Sequence, residues 1–329
     1  MQAILDSLRR YRNEIKGFAI LWVVFFHAKL GLSGFLADVQ QIGYCGVDIF
    51  FFLSGFGLYH SLERSSDISS YLKRRAARLL PAYLPFCLVW LVVMIPLSKM
   101  GMASAIRTVT GNLFMVGFFS GAPVNINWYV SGLMLSLVLA PVFFAFLGKE
   151  NCCPKRVLLL IGFLFMMGTA FIDTDAYMAI SRLPVFVLGM VAAGWKQPQL
   201  CKKTLVFGLT NAFVIGFAAL YIAFSLLPDL LVPYALYWHP FVLITPPLCV
   251  SLAWLFGKCP GWIVKPLSYA GAASFEIFLF NAWIELLGKR YGLCHNPADW
   301  LLWSAASVAA GLLYHLVVEK AVRIFSKKS

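Results

Sequence analysis

The sequence predicts an all-α protein: a polytopic membrane bundle of about ten transmembrane helices with both termini in the cytoplasm. Composition is the first observation behind this. The chain is 61% hydrophobic and only 12% charged, with a mean hydropathy of +0.81, whereas a soluble domain carries about 25% charged residues. Too little polar surface remains to face water all round. The second observation is length: several runs exceed the ~18 apolar residues that a bilayer crossing needs. Segments of alternating polarity are absent, so helices rather than a barrel are the spanning option. The third is the placement of positive charge, which follows once the runs are set out.

Residues 1–13 are short and basic, with Arg9, Arg10 and Arg12. The apolar run after them is longer than a signal-peptide core and contains His27, so it reads as a retained helix. Spans fall at roughly 15–33, 44–62, 81–99, 128–147, 156–173, 178–195, 204–225, 233–256, 268–288 and 300–323. The segment 104–120 is apolar but short, and reads as either a re-entrant or interfacial helix or an eleventh span. Pro81, Pro85 and Pro96 punctuate the third span, and Pro246–Pro247 should kink or break the eighth.

Between these spans, twenty of the 27 basic residues fall on one side and five, Lys29, Lys99, Arg107, Lys289 and Arg290, on the other. By the positive-inside rule the rich side is cytoplasmic, which puts both termini there and favours an even number of crossings. The net charge of +13 is thereby accounted for by topology, and a nucleic-acid partner drops out. The eight cysteines show no paired-ligand spacing, and no metal site is expected. Residues 1–329 read as one membrane-embedded domain without a separate soluble domain, multi-pass in a plasma or inner membrane.

Chemistry concentrates between Lys16 and Pro81. Ionisable groups inside a bilayer are costly and mark function by default. His27 lies eleven residues beyond Lys16, about 16 Å deeper, near the middle of a ~30 Å core. Asp48 lies about one turn inside the outer face in the adjacent, antiparallel span. An Asp that accepts a hydrogen bond from one imidazole nitrogen fixes the tautomer and frees the other as a general base; the bland alternative is a pair that staples two helices. Arg74 and Arg78 share a helix face with Arg75 beside them, a fork set suited to phosphate or simply to lipid headgroups. Lys16 lies at the same face. Ser54 and Gly55 interrupt the aromatic run FFFLSGFG, where small residues let helices approach or admit a substrate. Other polar residues in apolar surroundings are Asn127 with Trp128, Arg182 before Pro184, His239, Glu276, Asn281, Glu285, and the pair His315 and Glu319 one turn apart. Arg182 is the natural partner for Glu276.

These motifs resemble acyltransferase family 3, a family of membrane acyltransferases. The spacing Lys16–His27 is similar to its basic-x₁₀-His motif, with Lys where the family usually has Arg. Residues 46–55, GVDIFFFLSG, and the Arg-rich segment ending Arg78-Leu79-Leu80-Pro81 resemble its second and third motifs. Trp128 with Pro141, the stretch Arg182-Leu183-Pro184, and the helix SFEIFLFN, with Asn281 where His is common, resemble later ones. The resemblance implies transfer of an acyl group, most often acetyl, from cytoplasmic acetyl-CoA or another acyl-CoA to a hydroxyl of a cell-envelope or lipid-linked carbohydrate. Acyl-CoA is then a co-substrate, with no permanently bound cofactor. It implies His27 as base oriented by Asp48, and Arg74, Arg75, Arg78 and Lys16 on the CoA phosphates. Asn127, Trp128, Arg182, Glu276 and Asn281 support the pocket, and direct transfer is the default over Ser54 or Tyr83 as acyl carrier. The rival from another class is a proton-coupled transporter of an anionic lipid or glycan that uses the same His, Asp and Glu groups as a relay. A structural scaffold with polar pairs as helix glue is the third reading.

Overall fold

The computed structural model describes residues 2–64, 67–126, 128–148, 153–171, 176–195, 202–227 and 237–326. Every regular element among them is helical. In chain order these are α1 (Gln2–Arg10), α2 (Arg12–His27), α3 (Phe35–Gln41), a 3₁₀ turn (Ile42–Cys45), α4 (Gly46–Arg64), α5 (Ile68–Ser98), α6 (Met102–Leu113), α7 (Trp128–Leu147), α8 (Pro154–Ala170), α9 (Ala176–Ile180), α10 (Leu183–Gly194), α11 (Lys202–Leu226), α12 (Phe241–Phe256), α13 (Gly261–Ala272), α14 (Ser274–Tyr291) and α15 (Pro297–Ser326). Six stretches among the described residues are long and apolar enough to cross a membrane, or seven if the bent pair α13–α14 is one span. Their exposed faces are apolar: Val206, Phe207, Val214 and Ile215 on α11, and Leu301, Leu302, Leu313 and Leu316 on α15. Side chains of this kind on long helices are stable against lipid and not against water.

Each of the ten predicted spans contains helix; the first, expected to reach residue 33, ends at His27, and three others differ in detail. The ninth is not straight: α13 and α14 meet at Ala273 with a 72° bend. The sixth is interrupted at Ser181–Arg182, just before Pro184. Proline removes one backbone donor and disfavours helical geometry in the residue before it, so a break here has a local cause. The eighth was expected to kink or break at Pro246–Pro247, yet α12 carries both prolines as an uninterrupted helix; the start of that span, 233–236, lies outside the described residues. The segment 104–120 forms no helix long enough to cross. The twelve residues of α6 reach about 18 Å, short of the ~30 Å core. The chain then turns through Met115, whose φ is 58°, with the Val116 amide donating to the Gly111 carbonyl at 2.8 Å. Buried Asn112 fastens this turn: its amide donates to the Thr108 and Val124 carbonyls at 2.8 and 3.0 Å, and its oxygen accepts from the Ile126 amide at 2.9 Å.

The described residues group into two compact units. The first comprises 1–12, 47–71 and 131–260, hence α1, most of α4 and α7 to α12. Within it α12 packs on α11, α10 and α1, and α10 also packs on α8. Gly55 of α4 and Gly189 of α10 form a reciprocal contact: a Cβ on Gly55 would overlap the Phe186 carbonyl, and one on Gly189 the Phe52 carbonyl. The small residues in FFFLSGFG therefore serve close helix approach. Gly189→Ala should destabilise the protein by about 1–3 kcal/mol, because backbone rather than a pliable side chain must yield. A thermal melt in detergent checks this, and an unchanged midpoint refutes it. The second unit comprises 13–46, 72–130 and 261–329, with α14 and α15 packed along each other. There Gly311 of α15 lies against the Ile277 backbone of α14, with no room for a Cβ.

Candidate active site

The second unit holds a polar cleft at the end of α2. His27 is that helix's last residue, so the carbonyls around it have no helical partners of their own. Gln40, from α3, supplies them: its side-chain amide donates to the Phe25 carbonyl at 2.8 Å and also to the Ala28 carbonyl. The Trp22 indole donates to the Val39 carbonyl at 2.8 Å and ties the same hairpin down. The His27 ring is thus presented from an anchored helix end.

His27 Nδ1 lies 2.8 Å from the Val23 carbonyl. A carbonyl only accepts, so Nδ1 carries a proton and donates; in the neutral ring Nε2 then keeps its lone pair. Nε2 faces the Glu285 carboxylate at 3.5 Å. Asn281, one turn earlier on α14, donates to the Ser307 hydroxyl of α15 at 3.4 Å. His27, Asn281, Glu285, Trp300, Trp303 and Ser304 line a cleft of only about 10 Å³, room for one water-sized or hydroxyl-sized group. An imidazole held through one ring nitrogen, with the other facing a cleft, is an arrangement that a general base can use.

Lower on the same two helices, His315 Nδ1 lies 2.9 Å from Glu276, while its Nε2 is 4.0 Å from Glu319, which Arg323 approaches at 3.4 Å. Glu276 and Arg182, expected as a pair, each have a partner within their own unit. Glu276 takes His315 of its own neighbour α15, and Arg182 takes Asp48. The His315–Glu319 contact is correspondingly secondary. Of the basic residues, Arg74 and Arg78 are exposed on one face of α5, and Arg75 and Lys16 are half-buried. The Tyr83 hydroxyl donates to the Asn112 carbonyl at 2.7 Å, so its proton is committed to a structural bond. Trp128 is half-buried at the start of α7, and Asn127 lies outside the described residues.

The first unit holds the remaining singled-out residues. Asp48 Oδ1 lies 3.3 Å from Arg182 Nε, and the two side chains are 0% and 1% exposed. The Arg182 guanidinium also sits 4.9 Å above the centre of the Trp238 ring. The Tyr177 hydroxyl is hydrogen-bonded to His239 Nε2 at 2.5 Å. Ser54 is half-buried beside Gly55. Asp48, the carboxylate expected to orient His27, is paired with Arg182 within the first unit. In the second unit the groups beside the His27 ring are the Val23 carbonyl and the Glu285 carboxylate.

Glu285 was visible in the sequence only as one of several polar residues in apolar spans, although its four-residue spacing from Asn281 puts both on one helix face. Gln40, Trp300 and Trp303 carried no sequence signal as site residues, since each reaches the site through contacts across helices.

The sequence model of acyltransferase family 3, described as an acyltransferase domain, matches residues 13–316. The chain belongs to acyltransferase family 3. Comparison with curated proteins and with solved structures finds no significant match. Membership in acyltransferase family 3, with the apolar helices, makes this a multi-pass membrane acyltransferase, and Lys16 and His27 both fall inside the matched region.

Proposed function

We propose that the protein transfers an acyl group, acetyl above all, from cytoplasmic acyl-CoA to a hydroxyl of a cell-envelope or lipid-linked carbohydrate. It would do so across a bundle of about ten spans with both termini in the cytoplasm. One observation carries the mechanism: the Nδ1 proton of His27 is held by the Val23 carbonyl while Nε2 faces Glu285. Nε2 takes the proton of the acceptor hydroxyl as its oxygen attacks the thioester carbonyl. The tetrahedral intermediate collapses and expels the CoA thiolate, and the imidazolium returns the proton to that thiolate. The products are an ester and CoA thiol, with no net proton change. Glu285 stabilises the imidazolium while it exists, and the Tyr83 bond to Asn112 favours direct transfer over an acyl-tyrosine. Arg74, Arg75, Arg78 and Lys16 bind the CoA phosphates.

Calorimetry tests the donor side. Purified protein in detergent should bind acetyl-CoA saturably, and an Arg74/Arg75/Arg78→Ala protein should lose that binding while melting at the wild-type temperature. Unaltered binding in the triple variant refutes the donor assignment.

The string Glu276–His315–Glu319 is the observation that favours the second reading, a proton-coupled transporter of an anionic lipid or glycan, because titratable groups at 2.9 and 4.0 Å suit a relay. Proton flux into proteoliposomes without acetyl-CoA turnover would favour transport.

A further inference from the structure

Within the second unit, the basic cluster and the cleft tryptophans lie at opposite ends. From Arg78 to Leu97, α5 runs about 28 Å. The Leu97 carbonyl accepts a hydrogen bond from Arg290, near the end of α14. The α14–α15 connection that leads to Trp300 and Trp303 thus sits at the end of α5 far from Arg74, Arg75 and Arg78. His27 lines the same cleft as Trp300 and Trp303.

We propose that Trp303, backed by Trp300, is the platform on which the ring of a carbohydrate acceptor stacks, while one hydroxyl of that ring enters the cleft at His27. This deepens the acyl-transfer reading and rests on it. The cleft, at about 10 Å³, admits one hydroxyl and no sugar ring, so the ring must stay at the mouth. Trp303 is partly exposed, whereas Trp300 is 8% exposed. Both rings are held. The Trp303 indole donates to the Leu293 carbonyl at 3.3 Å, and the Lys29 ammonium sits 6.0 Å from the centre of the Trp300 ring. The start of α15 is fixed as well: the Asp299 carboxylate accepts from the His295 and Asn296 amides at 2.9 and 3.3 Å, and the Asn296 side chain accepts from the Asp299 amide at 3.0 Å. A preset indole face suits the C–H face of a pyranose. Asn281, Glu285 and Ser304 supply the hydroxyl partners around the reacting oxygen. A flexible acyl chain would need none of these polar groups.

The test uses the full chain in nanodiscs with octyl glycosides of glucose, galactose, mannose and N-acetylglucosamine as probes, and a sugar-free octyl polyether as control. Saturation-transfer NMR reads which probe protons touch the protein. Ring protons of at least one glycoside should saturate in wild type and in His27→Ala, and the effect should survive Trp303→Phe. Trp303→Ala should weaken that binding about tenfold while acetyl-CoA binding and the melting temperature stay at wild-type values. Equal ring saturation in Trp303→Ala, or none with any glycoside in folded wild type, overturns the assignment. Neither result touches the role of His27, which stands or falls on turnover of His27→Ala. A loss confined to the octyl chain overturns it too, by assigning the indoles to lipid.

Discussion

In His27→Ala, acyl transfer should fall by about 10²–10⁴-fold, the contribution of one positioned general base. Acetyl-CoA binding and the melting temperature should be unchanged, because the residues proposed for the CoA phosphates, Arg74, Arg75, Arg78 and Lys16, lie elsewhere in the chain and the ring is only part-buried. The loss should appear in kcat rather than in KM for the donor, since the imidazole acts when the hydroxyl loses its proton and not when CoA docks. Glu285→Gln keeps the side chain's size and removes its charge, so it should cost less, on the order of tenfold. Radiolabelled acetyl transfer to membrane glycan extracts reads both variants. Robust turnover in His27→Ala would remove His27 from the chemistry and Glu285 with it.

Breaking the Asp48–Arg182 pair should have the largest effect on stability. Both side chains are out of solvent, at 0% and 1% exposure, so neither charge is screened by water. Removing one partner leaves the other buried without its counter-charge, which costs about 3–5 kcal/mol. Asp48→Ala and Arg182→Ala should each lower the melting temperature in detergent clearly. The double variant Asp48→Leu/Arg182→Met should be far better than the sum of the two losses, since apolar residues need no counter-charge. Strict additivity would mean that the two do not act as a pair. Asp48→Asn separates stability from catalysis: a variant that folds but transfers no acyl group would give Asp48 a chemical role beyond its bond to Arg182.

Much of the fold was legible because hydropathy and charge are local properties. A run of eighteen apolar residues has few options in any context, and each of the ten runs contains helix. Family membership was legible for a similar reason, since the motif from Lys16 to His27 and the stretch GVDIFFFLSG are contiguous in sequence. Helix interruptions were less so: the break at Arg182, next to Pro184, had a local marker, while the bend at Ala273 has none, and Pro246–Pro247 left α12 unbroken.

The sequence by itself determined that the chain is a helical membrane protein, that ionisable residues such as His27 lie within its apolar runs, and that a basic cluster follows the second of them. Only the tertiary structure decided the partners. Asp48 faces Arg182, Glu276 faces His315, and His27 takes its proton acceptor from Val23 and its negative charge from Glu285. Sequence spacing constrains which residues share a face of one helix. Which carboxylate meets which cation across helices depends on how α2, α14 and α15, or α4 and α10, are rotated and packed. That is set by contacts such as Gly55 against Phe186 and Gly311 against Ile277, between residues far apart in the chain.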